Sequence, residues 1–113
     1  MTRSWTRITR LVIATTALMA LGLMSVPAEA QDGAALYKTK CAACHGAAGK
    51  GDTAVGKANK IRDLSSADVQ QQSDADLTTV ITSGKGKMPA YGKSLKPDQV
   101  KDLVAYIRSL ATK

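Results

Sequence analysis

Cys41-Ala42-Ala43-Cys44-His45 sets two thiols three residues apart, with an imidazole directly after the second. On one helical turn this C-x-x-C-H spacing has a specific use. The two thiols can add to the two vinyl groups of one haem, and His45 then comes under the iron with a ring nitrogen to offer. Covalent attachment holds a porphyrin even where the surrounding core is thin. An iron that only passes electrons also needs a ligand on its other face, because an open position would bind small molecules. Composition narrows the choice: His45 is the only histidine of the chain, and Met88 is the only methionine after the first thirty residues. Met88 stands in Gly84-Lys85-Gly86-Lys87-Met88-Pro89, a poor setting for core packing. A thioether reaching the iron from the far side of the haem is the economical reading. Such a pair favours ferrous iron and raises the reduction potential, and a saturated ligand set lets the iron change charge with little movement.

Other chemistries of the same residues fare less well. A redox dithiol normally sits on a strand-helix pattern, which this chain lacks, although His45 would be placed to lower a thiol pKa. Structural zinc wants four ligands, and two cysteines with one histidine cannot complete a closed site. The run Gly51-Asp52-Thr53-Ala54-Val55-Gly56-Lys57 comes close to a phosphate loop, but Ala58 stands where a Ser or Thr would hold magnesium and no strand precedes it. A haem enzyme or small-ligand sensor with a displaceable Met88 is the remaining alternative, and the sequence offers it no distal acid-base pair.

The elements that must position these residues read as helices. Asp32 can cap a helix on which Gly33, Tyr37, Cys41 and Cys44 follow at spacings of four, four and three, which puts them on one face. From Gly46 to about Leu64 a loop rich in glycine and lysine is expected. Ser73 and Asp76 form a capping box, and Leu77, Val80 and Ile81 predict a helix over 74–83, stopped by Gly84. Pro89 keeps Met88 out of helical geometry. Pro97 opens a last helix with the apolar stripe Val100, Leu103, Val104, Tyr106, Ile107 and Leu110, although Lys96 is a weak cap. No period-two alternation or hairpin signal interrupts this pattern, so the fold class is all-α.

The first thirty residues read as an address label. Arg3, Arg7 and Arg10 precede an apolar run from Leu11 to about Val26, and Ala28 and Ala30 form an A-x-A cleavage site. The expected organisation is a cleaved signal peptide over 1–30 and one domain over 31–113, placed in the periplasm, or tethered to the membrane if the signal stays. Removing the three arginines and Glu29 lowers the formal charge from +7 to +5. Export and the lack of Phe and Trp in the mature part argue against nucleic acid. Lys85, Lys87, Lys93 and Lys96 cluster around Met88 and would steer acidic redox partners to an exposed haem edge. A monomer without a membrane span is expected after cleavage. About 83 residues in short helices bury little apolar surface, while ordering each residue costs about 1.5 kcal/mol. A covalent cofactor would fill that deficit, and without it an apolar gap is expected between Cys41, Cys44 and His45 on one side and Met88 on the other.

Over residues 32–113 the sequence resembles the class I c-type cytochromes, the small soluble bacterial ones in particular. The resemblance implies a cytochrome c-like fold of three to five short helices around one covalent haem c, acting as an electron carrier rather than an enzyme. It matches Cys41 and Cys44 to the thioether positions, His45 to the proximal ligand and Met88 to the distal ligand. It also implies a helix crossing in which Gly33 and Tyr37 pack on Leu103 and Tyr106, and it makes Tyr91 a candidate haem-wall residue. The chain departs from many relatives in having no proline shortly after the motif to offer its carbonyl to the His45 Nδ1 hydrogen. Another carbonyl, in the 54–60 stretch, is expected to do so.

Overall fold

A computed structural model describes residues 28–111, so positions 1–27 of the expected signal lie outside the described residues. Six helical segments follow in order: α1 (Ala28–Lys40), α2 (Ala42–His45), α3 (Ala54–Ala58), α4 (Ala67–Gln70), α5 (Asp74–Ser83) and α6 (Pro97–Leu110). Among the described residues the only β pairing is an isolated bridge between Lys85 and Met88, and the all-α expectation holds. Cys41 alone separates α1 from α2. Its N–H donates to Tyr37 O and its carbonyl accepts from the His45 N–H, both at 2.9 Å, so the two act nearly as one body.

The crossing of α1 and α6 organises the rest. Gly33 lets the backbones touch, because a Cβ there would overlap the Asp102 carbonyl and come within 3.0 Å of Tyr106 Cβ. Tyr37, one turn on, stacks at 4.9 Å on Tyr106 with the rings tilted by 46°. Tyr37 and Leu103 are the largest fully buried side chains among the described residues, at 2% and 1% exposure. Val100, Leu103, Val104 and Ile107 lie on the buried stripe of α6, at the spacing of a helix with one apolar face.

The starts of the last two long helices follow from their capping residues. Ser73 Oγ accepts from the Asp76 N–H at 3.0 Å, and Asp76 returns the bond to the Ser73 N–H at 3.3 Å. Leu77 and Ile81 face inward from α5. At α6 the lysine ammonium of Lys96 has no lone pair to offer, but Gln99 Oε1 accepts from the Lys96 N–H at 2.9 Å. Half of a capping box therefore offsets the weak cap.

Three features differ from expectation. The first helix begins at Ala28, so Asp32 lies within it rather than at its cap. The 46–64 loop contains the single turn α3, capped by Thr53 Oγ1 accepting from the Gly56 N–H at 2.9 Å. The four-residue α4 buries only Val69. It is held by hydrogen bonds: Arg108 donates to Gln70 O and Gln72 O and pairs with Asp74, while Gln70 Nε2 donates to Leu64 O and Ile107 O.

Replacing Gly33 with Ala must push α1 off α6 and should cost about 1–3 kcal/mol, the usual price of an overpacked contact. Guanidinium unfolding would show it as a lower midpoint; an unchanged midpoint would mean that the helices do not touch there.

Candidate cofactor site

A cleft of about 570 Å³, counting its open mouth, lies between the attachment turn and the loop that joins α5 to α6. Cys41 and His45 line it from the α1–α2 junction, and Met88 and Tyr91 line it from the loop. Its remaining walls are Leu77, Val80 and Ile81 of α5, Leu103 and Ile107 of α6, and Tyr37, Lys40, Leu64 and Leu95. The expected gap between His45 and Met88 is present, with apolar walls. Leu64 and Leu95 were not singled out by sequence, since neither sits in a periodic run.

Cys44 behaves differently from Cys41. It is exposed and does not line the cleft, whereas Cys41 is half-buried. Cys41 has φ of −117°, away from the helical value near −63°, at the junction of α1 and α2. The single-face expectation holds for three of its four residues.

Met88 is presented by a tight turn. Lys85 and Met88 exchange backbone hydrogen bonds at 3.1 and 3.0 Å around Gly86-Lys87. Gly84 and Gly86 have φ of 75° and 58°, a left-handed region that glycine enters without strain. Tyr91 is not a free loop tyrosine: its hydroxyl donates to Lys40 O at 3.2 Å, tying the loop to the end of α1.

Burial lowers the His45 pKa below its ordinary value, so the ring is neutral at neutral pH and keeps a lone pair for a metal. Its Nδ1 is buried without a hydrogen-bond partner among the described residues. The 54–60 stretch supplies no acceptor, contrary to expectation, because its one turn packs on the Cys44 carbonyl instead of on the ring. Burial pushes the Cys41 thiol up, Cys44 adds to this and Lys40 opposes it. A thiol held up in this way is a poor thiolate source, which counts against a redox dithiol. No group of three or more metal-ligating side chains is present among the described residues.

Residues 28–107 match the family model described as cytochrome c oxidase, cbb3-type, subunit III. The chain is 34% identical over 88 residues to a cytochrome c6 of Gloeothece citriformis, covering 75% of this chain and 74% of that one. It is 34% identical over 80 residues to the cytochrome c6 of Aphanizomenon flos-aquae, covering 71% and 88%. It is also 34% identical over 82 residues to the cbb3-type cytochrome c oxidase subunit FixP of Azorhizobium caulinodans, covering 72% of this chain and 27% of that subunit. The chain belongs to the class I c-type cytochromes.

This cytochrome is an electron carrier with covalent haem c as its cofactor and redox proteins as its partners, and it is not an enzyme. The residues present fit that group: the half-buried Cys41 thiol, the His45 imidazole and the Met88 thioether line one apolar cleft, and the exposed Cys44 thiol follows three residues after Cys41. No helix among the described residues is long and apolar enough to cross a membrane.

Because the Tyr91 hydroxyl bridges 51 residues of chain, Tyr91→Phe should remove about 0.5–1 kcal/mol of stability. The drop would be read from the guanidinium midpoint, and a variant as stable as the parent would show that water replaces the bond.

Proposed function

We propose that Cys41 and Cys44 carry the two thioether links of the haem, and that His45 and Met88 ligate its iron from the two faces, with Tyr91 in the wall. The observation that supports this best is that the chain's single histidine and the single methionine after residue 30 line the same cleft. When bound, haem supplies an iron that takes up and releases one electron. The protein's own part is to hold and insulate it. Leu77, Val80, Ile81, Leu103 and Ile107 give a low-dielectric surround that disfavours added charge on the oxidised iron. The Met88 thioether moves the balance the same way, toward a high potential.

The cytochrome is exported by a signal peptide over 1–30, works as a monomer in the periplasm, and meets acidic surfaces on its donor and acceptor. Lys85, Lys87, Lys93 and Lys96 are all exposed on the segment that carries Met88 and Tyr91, and Lys40, also exposed, lines the cleft itself. Such a rim steers partners through long-range attraction and holds them only briefly.

Three experiments test the reading. Haem should stay with the polypeptide through acid solvent extraction, and Cys41→Ser with Cys44→Ser should release it; haem lost from the parent chain would refute the covalent assignment. Met88→Ala should lower the reduction potential, whereas a variant with the parent's potential and spectrum would remove Met88 from the iron. Electron-transfer rates with an acidic partner should fall steeply as ionic strength rises, and rates indifferent to salt would remove the lysine rim from docking.

A further inference from the structure

The last carbonyls of a helix have no partner in the helix itself. At the end of α2, three consecutive ones are nevertheless tied down from outside. The Thr53 hydroxyl donates to Cys44 O at 2.9 Å. The Gly51 N–H donates to His45 O at 2.7 Å. The buried Tyr37 hydroxyl donates to Gly46 O at 2.7 Å. Thr53 does double duty, since the same oxygen accepts from the Gly56 N–H and so joins the start of α3 to the end of α2. The seat is close: a Cβ on Gly56 would lie 2.8 Å from the Cys44 carbonyl oxygen.

The imidazole that this backbone carries has no tether of its own, because Nδ1 is buried and unpartnered among the described residues. A metal-bound histidine usually donates that second N–H to an acceptor, which fixes the plane of the ring. We propose that Thr53 is a positioning residue for His45, its hydroxyl setting the imidazole through the Cys44-His45 backbone in place of the missing ring hydrogen bond. The inference rests on the assignment of His45 to the iron. Tyr37 contributes to the same clamp, but its ring also fills the α1–α6 crossing, so changing it would disturb the fold. Thr53 is only half-buried and offers the cleaner probe.

In the ferric protein, the pattern of shifted haem-methyl proton resonances depends on the plane of the axial imidazole. Thr53→Val keeps the branched shape and removes the hydroxyl; in the haem-loaded full chain it should redistribute or double those resonances and change the midpoint potential. Thr53→Ser keeps the hydroxyl and should restore both. Val69→Ala, a buried change on α4 outside the cleft, should lower stability and leave both readouts alone. If Thr53→Val does not load haem, Thr53→Ala takes its place. The inference is overturned by a hydroxyl-free variant with the parent's pattern and potential, by failure of Thr53→Ser to restore them, or by Val69→Ala producing the same change. A parent chain without covalent haem would overturn the proposed function as well, whereas an unchanged pattern in a loaded variant overturns this inference alone.

Discussion

The close approach of α1 to α6 at Gly33 is the constraint from which the site is built. With no side chain between Gly33 and the Asp102 carbonyl, Tyr37 comes down on Tyr106 and its hydroxyl reaches the carbonyl of Gly46. That bond spans nine residues and crosses the whole attachment turn, so the crossing sets where Cys41 and His45 stand relative to α6. Burial pushes the Tyr37 phenol well up, which keeps it a donor across the physiological range. The other half of the site is hung from the same frame: α5 packs on α6, and Tyr91 ties the Met88 loop to Lys40 at the end of α1.

A domain of this size built from short helices usually needs a disulfide, a metal or a cofactor to supplement its core. Among the described residues the buried apolar side chains include no Phe or Trp, and four of them, Leu77, Ile81, Leu103 and Ile107, line the cleft from one side. The space between them and His45 is where the haem belongs in this account, so cofactor binding and core completion are one event. Burial of apolar surface, at about 25 cal/mol per Å², then stabilises the fold and insulates the iron through the same contacts. Function and stability therefore place the same demand on these positions, and polar substitutions there would harm both.

Local chemistry made much of this legible in the sequence. Ser73 with Asp76, and Pro97, mark the starts of α5 and α6 because capping is decided by neighbouring residues. The resemblance to class I c-type cytochromes pointed to the contact of Gly33 and Tyr37 with Leu103 and Tyr106. What stayed hidden depends on distant partners. The helix α4 has one buried side chain and is held by Arg108 and Gln70 across more than thirty residues, which no periodicity can reveal. The exposure of Cys44 and the unpartnered Nδ1 of His45 depend on how the attachment turn and the α3 turn pack. Both are matters of geometry that residue spacing does not carry.

The central claim is that the iron has protein ligands on both faces, with no position left for a third party. The visible spectrum of the reduced protein before and after addition of carbon monoxide tests this most directly. A spectrum that does not change is the predicted result, because in the proposed arrangement His45 and Met88 would leave the iron no open position. Ready formation of a carbon monoxide complex by the parent protein would contradict it, and would turn the cleft from an electron carrier's core into an open ligand site.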